Sequence, residues 1–340
     1  MNDELNVTTK LDTKQWSEFV SNHPKGNIFQ TPEMYEVYNK TKKYEPVFLA
    51  VVDSNENVQA LLLSHVIREF NGFIGSFSSR SIIQGGPLFV ENDVGKEALK
   101  LLLIEYDKVA NKKTLYTQIR NLYDTSKFKD VFLQNGYKYE GHLNFLIDLT
   151  KPKDELWATL TKNRRKGINR AERQGLIVEE IKDKSLLHIF YEILQETYKN
   201  AGIPLGDFSL FGSAFDKLTP SNKAKFYFAK NGNECIGARA ILIYNDFIHD
   251  WYAGACGDSL ELYPNEFLVW KILEWGCENG YKTFDFGGAG KSDEEYGPRE
   301  FKRRFGGKLV KYGRYTKVYS PKKLCLAEKG FKIWKKTGGC

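Results

Sequence analysis

The sequence predicts an α/β (α+β) fold in which one unit occurs twice, each copy a mixed, largely antiparallel sheet flanked by helices. Three observations in matching order carry this reading. Residues 46–66 alternate as strand, polar turn (53–57) and strand, and residues 224–250 repeat the pattern around Asn231-Gly232-Asn233. Each hairpin is followed by an apolar helix and then a strand: 98–110 leads into 114–120, and 266–278 leads into 282–286. Last, 132–139 running into an apolar strand at 143–149 mirrors 301–308 running into 310–319. Hairpin, helix, strand, helix and closing strands form an α/β sandwich rather than a run of βαβ crossovers.

The elements follow in order. The opening MNDELNVTTKLDTKQW lacks the basic and apolar regions of a signal peptide. No apolar run reaches the roughly 18 residues of a membrane span, so the expected location is the cytoplasm. Segment 148–154, DLTKPKD, reads as a linker in which Pro152 ends the last strand of the first half. Domains are therefore expected at 1–152 and 153–320, with a basic amphipathic helix in 321–340. Helix 185–200 and loop 201–207 are additions of the second half. In 321–336, Leu324, Ala327, Phe331 and Trp334 share one side among six lysines. That helix either docks on its own domain or lies peripherally on an anionic inner membrane face.

Composition narrows the chemistry. A chain of 340 residues with 41% hydrophobic and 14% aromatic residues can bury the cores of two domains. Its net charge of +7 is mild for a dedicated nucleic-acid binder and suits an enzyme that handles an anionic substrate. Cys235, Cys256, Cys277, Cys325 and Cys340 are scattered, which points to reduced thiols with neither a zinc site nor a disulfide framework. No metal is expected.

Three segments have the composition of a site. In 156–175, LWATLTKNRRKGINRAERQG, six Lys or Arg crowd twelve residues. Leu156, Leu160, Ile168 and Ala171 recur at helical spacing, yet Arg164 sits on the same stripe, and Gly167 costs a helix about 1 kcal/mol relative to Ala. The segment reads as a phosphate contact through Arg164, Arg165 and Lys166, with a solvated basic face as the plain alternative. In Phe284-Asp-Phe-Gly-Gly-Ala-Gly290 a strand ends in glycines, so that Gly287 and Gly288 admit a close substrate approach. Beyond it, eight basic residues and one acidic occupy 299–317. There Phe301 and Lys302 would bring an aromatic wall and an ammonium to the mouth of a C-terminal cleft, or Phe301 and Phe305 would form a core pair. Tyr252 either sends its hydroxyl into that cleft or ends at the surface. His23, His65, His142, His188 and His249 stand in unrelated contexts, no nucleophile elbow occurs, and covalent catalysis is not expected. His249 beside Asp250 reads as a core histidine, with a general base as the alternative.

Taken together, Asn27-Ile-Phe-Gln-Thr-Pro-Glu-Met-Tyr35, Gln84-Gly-Gly-Pro87, Asn163-Arg-Arg-Lys-Gly-Ile-Asn-Arg-Ala-Glu-Arg-Gln-Gly175, Asp285-Phe-Gly-Gly288 and Phe301-Lys-Arg-Arg-Phe-Gly-Gly307 make the chain resemble the Fem family (FemABX-like). These are peptidoglycan bridge-forming aminoacyltransferases built from two GNAT-like domains. The resemblance spans nearly the whole chain and leaves no room for the family's coiled-coil arm, so it is to the short form. It implies attack by an acceptor amine on the ester carbonyl of an aminoacyl-tRNA, without a cofactor, by alignment and oxyanion stabilisation. Lys302 matches the family's catalytic lysine. Phe301 and Tyr252 would line the acceptor channel, while Arg164, Arg165 and Lys166 would meet phosphates of tRNA or acceptor. The first-domain contribution falls near Gln30 and Tyr38.

One departure bears on the acceptor. Family members that bind a diphosphate-linked muropeptide carry an arginine, then a tyrosine four residues on, after the helix ending here at 197–200. Residues 201–211 contain no basic residue, which weakens the case for that acceptor. Two other functions stay open. An acyl-CoA-dependent GNAT N-acyltransferase needs a Q/R-x-x-G-x-G/A turn at a helix start, which neither 92–96 nor 257–264 supplies. A non-catalytic RNA- or lipid-binding module would use the basic segments alone.

Overall fold

The computed structural model describes residues 4–69 and 77–336, without the side chains of Glu328 and of residues 331–336. Cys340 and the side chains of Phe331 and Trp334 thus lie outside the described residues. The chain divides into two compact units, 1–141 together with 312–340, and 142–311.

In the first unit, β1 (Asn6–Thr8), β2 (Tyr44–Val52), β3 (Val58–Ile67), β4 (Arg80–Gln84), β5 (Leu88–Phe89), β6 (Tyr116–Arg120) and β7 (Lys138–Glu140) share a sheet with the distant strand Arg314–Val318. The order is β1-β2-β3-β4-β6, then Arg314–Val318, then β7, with β5 on β3. Neighbours are antiparallel except β4 and β6, which run parallel. The helices are α1 (Thr13–Asn22), α2 (Pro32–Lys40), α3 (Asp93–Lys113) and α4 (Lys129–Gln134). Along α3, Ala98, Leu99, Leu102, Leu103, Tyr106 and Ala110 recur at helical spacing and form one core with Leu49, Leu62, Ile83 and Ile119 of the sheet.

The second unit contains β8 (His142–Asp148), α5 (Lys153–Thr159), α6 (Lys162–Arg173), β9 (Ile177–Glu180), α7 (Leu187–Ala201), α8 (Phe208–Leu218), β10 (Ala224–Asn231), β11 (Glu234–Tyr244), β12 (Phe247–Ala255), α9 (Pro264–Glu278), β13 (Thr283–Lys291), α10 (Gly297–Arg303) and β14 (Lys308–Val310). Its sheet order is β14-β8-β13-β12-β11-β10-β9. Here too a single parallel pair, β12 with β13, interrupts an antiparallel sheet. The strand Arg314–Val318, which returns to the first sheet, is β15, and α11 (Pro321–Lys336) follows it.

The two mixed sheets match the fold class read from the sequence, but the expected boundaries at 152 and 320 do not match the units. Strand β8, assigned above to the first half, pairs with β13 and β14, whereas β15, assigned to the second, pairs with β6 and β7. Each unit is completed by a closing strand from the other half of the sequence. Alternation announces a strand without naming its partner, and Pro152 sits at the N-cap of α5 rather than between domains. Side-chain bonds secure the return of β15. Tyr315 stacks on Phe132 at 4.3 Å. The Lys317 ammonium reaches Asp107 of α3 at 2.6 Å, and the Tyr319 hydroxyl donates to the same carboxylate at 2.6 Å.

The basic segment is also divided. Helix α5 ends at Thr159, and Thr161 caps α6, its hydroxyl accepting the Arg164 N–H at 3.4 Å. Helix α8 was not anticipated. Its polar Asp207 and Ser209 form the cap, with the Asp207 carboxylate accepting the Ser209 N–H at 2.9 Å.

Candidate active site

The second sheet splits along one seam. Strands β12 and β13 pair only from Phe247 to His249 against Thr283 to Asp285. On one side the β11–β12 register shifts, so that Tyr252 faces Ala240 while Asp250 faces Ile241, leaving Trp251 as the extra residue of a bulge. On the other side the β13–β8 register jumps between Asp285 and Gly288. Gly287 takes φ +70°, a conformation that suits glycine. The buried Asp285 carboxylate fixes this turn by accepting the Gly287 N–H at 2.5 Å and the Asn144 amide at 2.6 Å.

Lys302 reaches this seam from α10. Its Nζ donates to the Phe286 carbonyl at 2.6 Å and the Gly288 carbonyl at 2.8 Å. Two of its three N–H bonds are therefore fixed by the turn that Asp285 holds. From the same helix Arg299 donates to the Ala289 carbonyl at 2.9 Å, so α10 is fastened along the edge of β13. Burial pushes the Lys302 pKa down to about 8, Arg239 acts in the same direction, and the carboxylates of Asp250 and Asp285 hold it up in part. Burial would raise the Asp285 carboxyl, but His249, Asn144 and the Gly287 N–H keep it below the usual range.

Around the ammonium lies a buried ion pair. Arg239, 2% exposed, donates one guanidinium nitrogen to both oxygens of Asp250, at 2.6 and 2.5 Å. Tyr198 of α7 brings its ring to 5.8 Å from Tyr252, and burial with the nearby Asp250 carboxylate raises its phenol. Arg239 Nε and Asp285 Oδ2 are buried without a hydrogen-bond partner among the described residues. Each such atom costs roughly 1–3 kcal/mol. Both residues act electrostatically on Lys302.

The structure places the sequence candidates unevenly. Lys302, Phe301, Tyr252, Gly287 and Gly288 lie in the second unit, with Lys302 and Gly288 in direct contact. Tyr252 packs edge-on to Phe211 with centroids 4.8 Å apart. Phe305 is fully buried, and Phe301 packs against it at 5.4 Å, half-buried, as the core-pair reading has it. His249 is 6% exposed and stands 3.8 Å from Asp285, as a core histidine would.

Arg164 requires correction as a phosphate contact. It is 5% exposed, pairs with Glu266 at 2.5 Å, donates to the Phe301 carbonyl at 3.0 Å, and lies 4.4 and 4.5 Å over the rings of Phe301 and Phe305. The arginine on the apolar stripe is thus an internal tether between α6, α9 and α10. Arg165 is directed back at the end of α5, donating to the Ala158 carbonyl at 3.1 Å. Lys166 is exposed. Gly167 lets α6 approach α9, since a Cβ there would fall 2.8 Å from the Tyr263 ring.

Gln30 and Tyr38 belong to the first unit. Gln30 is 0% exposed; its amide donates to the Leu63 and Gln84 carbonyls at 3.1 and 2.8 Å and accepts the Leu63 N–H at 2.7 Å. With every polar group committed, it ties β3 to β4 and offers nothing to a substrate. Tyr38 is 4% exposed and packs on His65 at 4.2 Å. Sequence reasoning missed Asp250, Arg239, Tyr198 and Asn144 as site residues. Arg239 did leave a signal, an arginine inside the apolar run 236–243, where an unpaired charge is not buried.

The geometry agrees with what this chain is similar to. The model of the acetyltransferase (GNAT) domain matches residues 159–303, from the end of α5 through α10, and so includes Lys302. The class follows from fold and site together: a GNAT-like acyltransferase with two such units in tandem. Lipid II:glycine glycyltransferase of Staphylococcus epidermidis is 19% identical, over 96% of this chain and 95% of its own. The crystal structure of FemX superimposes with a TM-score of 0.69 at 17% identity, covering 96% of this chain and 99% of that one. A tandem GNAT protein from the clavulanic acid biosynthesis pathway gives 0.54 at 9% identity, over 94% and 99%. Within that class, the glycyltransferase relatives and the FemX structure are what this chain is similar to.

Proposed function

We propose that this acyltransferase moves an aminoacyl group from the ester of an aminoacyl-tRNA to an amine on a lipid-linked peptidoglycan precursor, as in bridge formation. The observation that carries the reading is the Lys302 ammonium, held by two backbone carbonyls at the seam where β12 and β13 part. The acceptor amine attacks the ester carbonyl carbon, a C–N bond forms, the C–O bond to the ribose breaks, and the amine proton ends on the departing hydroxyl. The ester is already activated, so no cofactor and no covalent enzyme intermediate are required. Lys302 stabilises the oxyanion of the tetrahedral intermediate with its remaining N–H bond. The turn fixed by Asp285 keeps that bond in place before the substrate arrives.

The lipid-linked acceptor rests on the names of the relatives, lipid II:glycine glycyltransferases. No basic residue in 201–211 serves its diphosphate, so another segment must do so. The protein would work peripherally at the cytoplasmic membrane face. Among the described residues no helix is long and apolar enough to cross a membrane.

Acyl-CoA transfer is disfavoured at the helix end where a GNAT would hold the pyrophosphate. The N-terminus of α9 opens with Pro264 after Tyr263, carries Glu266 in its first turn, and is packed by Gly167 and Arg164 of α6. Glu266 is committed to Arg164, and 257–264 offers no glycine-rich turn to a diphosphate. The test supplies purified protein and lipid II with labelled glycyl-tRNA or labelled acetyl-CoA in separate reactions. Label should pass from the tRNA alone; incorporation from acetyl-CoA and never from the charged tRNA overturns the reading.

A further inference from the structure

Helix α6 has two unlike faces. Its inner face buries Arg164, Gly167, Ile168 and Ala171. At about 100° per residue, Lys162, Lys166, Arg170 and Arg173 fall within an arc of about 80° on the opposite side. All four are exposed, and none makes an ion pair among the described residues. Elsewhere exposed cations are commonly neutralised: Lys184 pairs with Asp216, Lys282 with Asp246, and Arg303 and Arg304 with Glu300. Asn163 and Asn169 are exposed on the same helix and add hydrogen-bonding groups. Four uncompensated charges along about 16 Å of one helix make a ladder for a polyanion.

We infer that this outer face of α6 grips the sugar–phosphate backbone of the RNA that carries the donor ester, an inference that rests on the proposed transfer reaction. Two features favour RNA over a lipid surface. A helix that lies on a membrane needs an apolar face to insert, and the apolar side of α6 is already packed on its own unit, leaving Lys, Arg and Asn outside. The ladder is also joined directly to the reaction centre. Arg164 of α6 bonds the carbonyl of Phe301, the residue before Lys302, and the Thr161 N–H donates to the Arg304 carbonyl at 3.0 Å. An RNA held on this helix is therefore held by the element that anchors the lysine. The site assignment shifts accordingly, from Arg164 and Arg165 to Lys162, Arg170 and Arg173, with Lys166 kept.

The test compares the wild-type full-length chain with a variant carrying Lys162→Gln, Lys166→Gln, Arg170→Gln and Arg173→Gln, titrated against a fluorescent, uncharged tRNA transcript at several salt concentrations. The variant should bind at least about tenfold more weakly, and its log–log salt slope should fall by about 3, close to one unit for each phosphate contact removed. Its transfer rate from a minimal donor, an aminoacyl ester of adenosine, should stay within about twofold of wild type, because these side chains lie outside the centre and the helix keeps its packed face. Unchanged tRNA affinity and slope overturn the inference. So does lost binding to phosphatidylglycerol vesicles with tRNA binding intact, which would give the surface to the membrane. A wild type that binds the transcript through these four residues yet never transfers from charged tRNA sinks the proposed reaction and leaves the RNA surface standing.

Discussion

The two units place a parallel strand pair at the same point in their strand order and treat it differently. In the first, β4 and β6 stay paired from Arg80 to Gln84 against Tyr116 to Arg120, and the Gln30 amide stitches β3 to β4. In the second, β12 and β13 separate after His249 and Asp285, and Lys302 enters beside the opening. The parallel pair runs on through Gln84 and Arg120 in one unit and ends at His249 and Asp285, beside an ammonium, in the other. What distinguishes them is a few residues: a bulge at Trp251, a glycine at φ +70°, and one buried carboxylate. The two sheets thus share one strand layout, and in the second the parallel pairing ends where Lys302 enters.

Substitutions on each side sharpen that contrast. The largest effect belongs to Lys302→Ala, which should lower turnover about a hundredfold, on the order of 3 kcal/mol of transition-state stabilisation, while thermal unfolding shifts little. On the closed side, Gln30→Ala strands the Leu63 N–H and two strand carbonyls. It should cost about 2–3 kcal/mol in a denaturant titration and leave turnover per folded molecule unchanged. A loss of turnover at full stability would instead restore Gln30 to the substrate site. The smallest effect is expected at Gly167→Ala. Helix propensity favours alanine by about 1 kcal/mol, but the new Cβ would meet the Tyr263 ring at 2.8 Å. Overpacking of that kind costs typically 1–3 kcal/mol, so a net destabilisation near 1 kcal/mol should appear in the same titration. A stabilised variant would show that α6 is not seated against α9.

Local pattern made much of this readable. Both hairpins, the helix-then-strand order and the glycine turn before Lys302 announce themselves through periodicity and turn residues. Partnership over distance does not, so the sheets that β8 and β15 join cannot be read from their own residues. Arg164 shows both sides of that limit. Its place on an apolar stripe correctly marked it as anomalous, but the reason, a carboxylate at Glu266 and two phenylalanine rings, lies in segments that only folding brings near. Asp250 and Tyr198 were hidden for the same reason. A motif singles out Lys302, but not the two carbonyls that hold it or the ion pair nearby.

The proposed transfer depends on a protonated Lys302 at the open seam. Because burial lowers its pKa to about 8, the charged form is complete well below that pH and is lost as pH rises through it. The decisive measurement is the pH profile of single-turnover transfer from charged tRNA for wild type and for Lys302→Arg, whose guanidinium stays charged beyond pH 12. The wild-type rate should fall tenfold per unit above about pH 8, and the arginine variant, however slow, should lose that alkaline limb. An identical limb in both proteins would contradict a catalytic ammonium at this position.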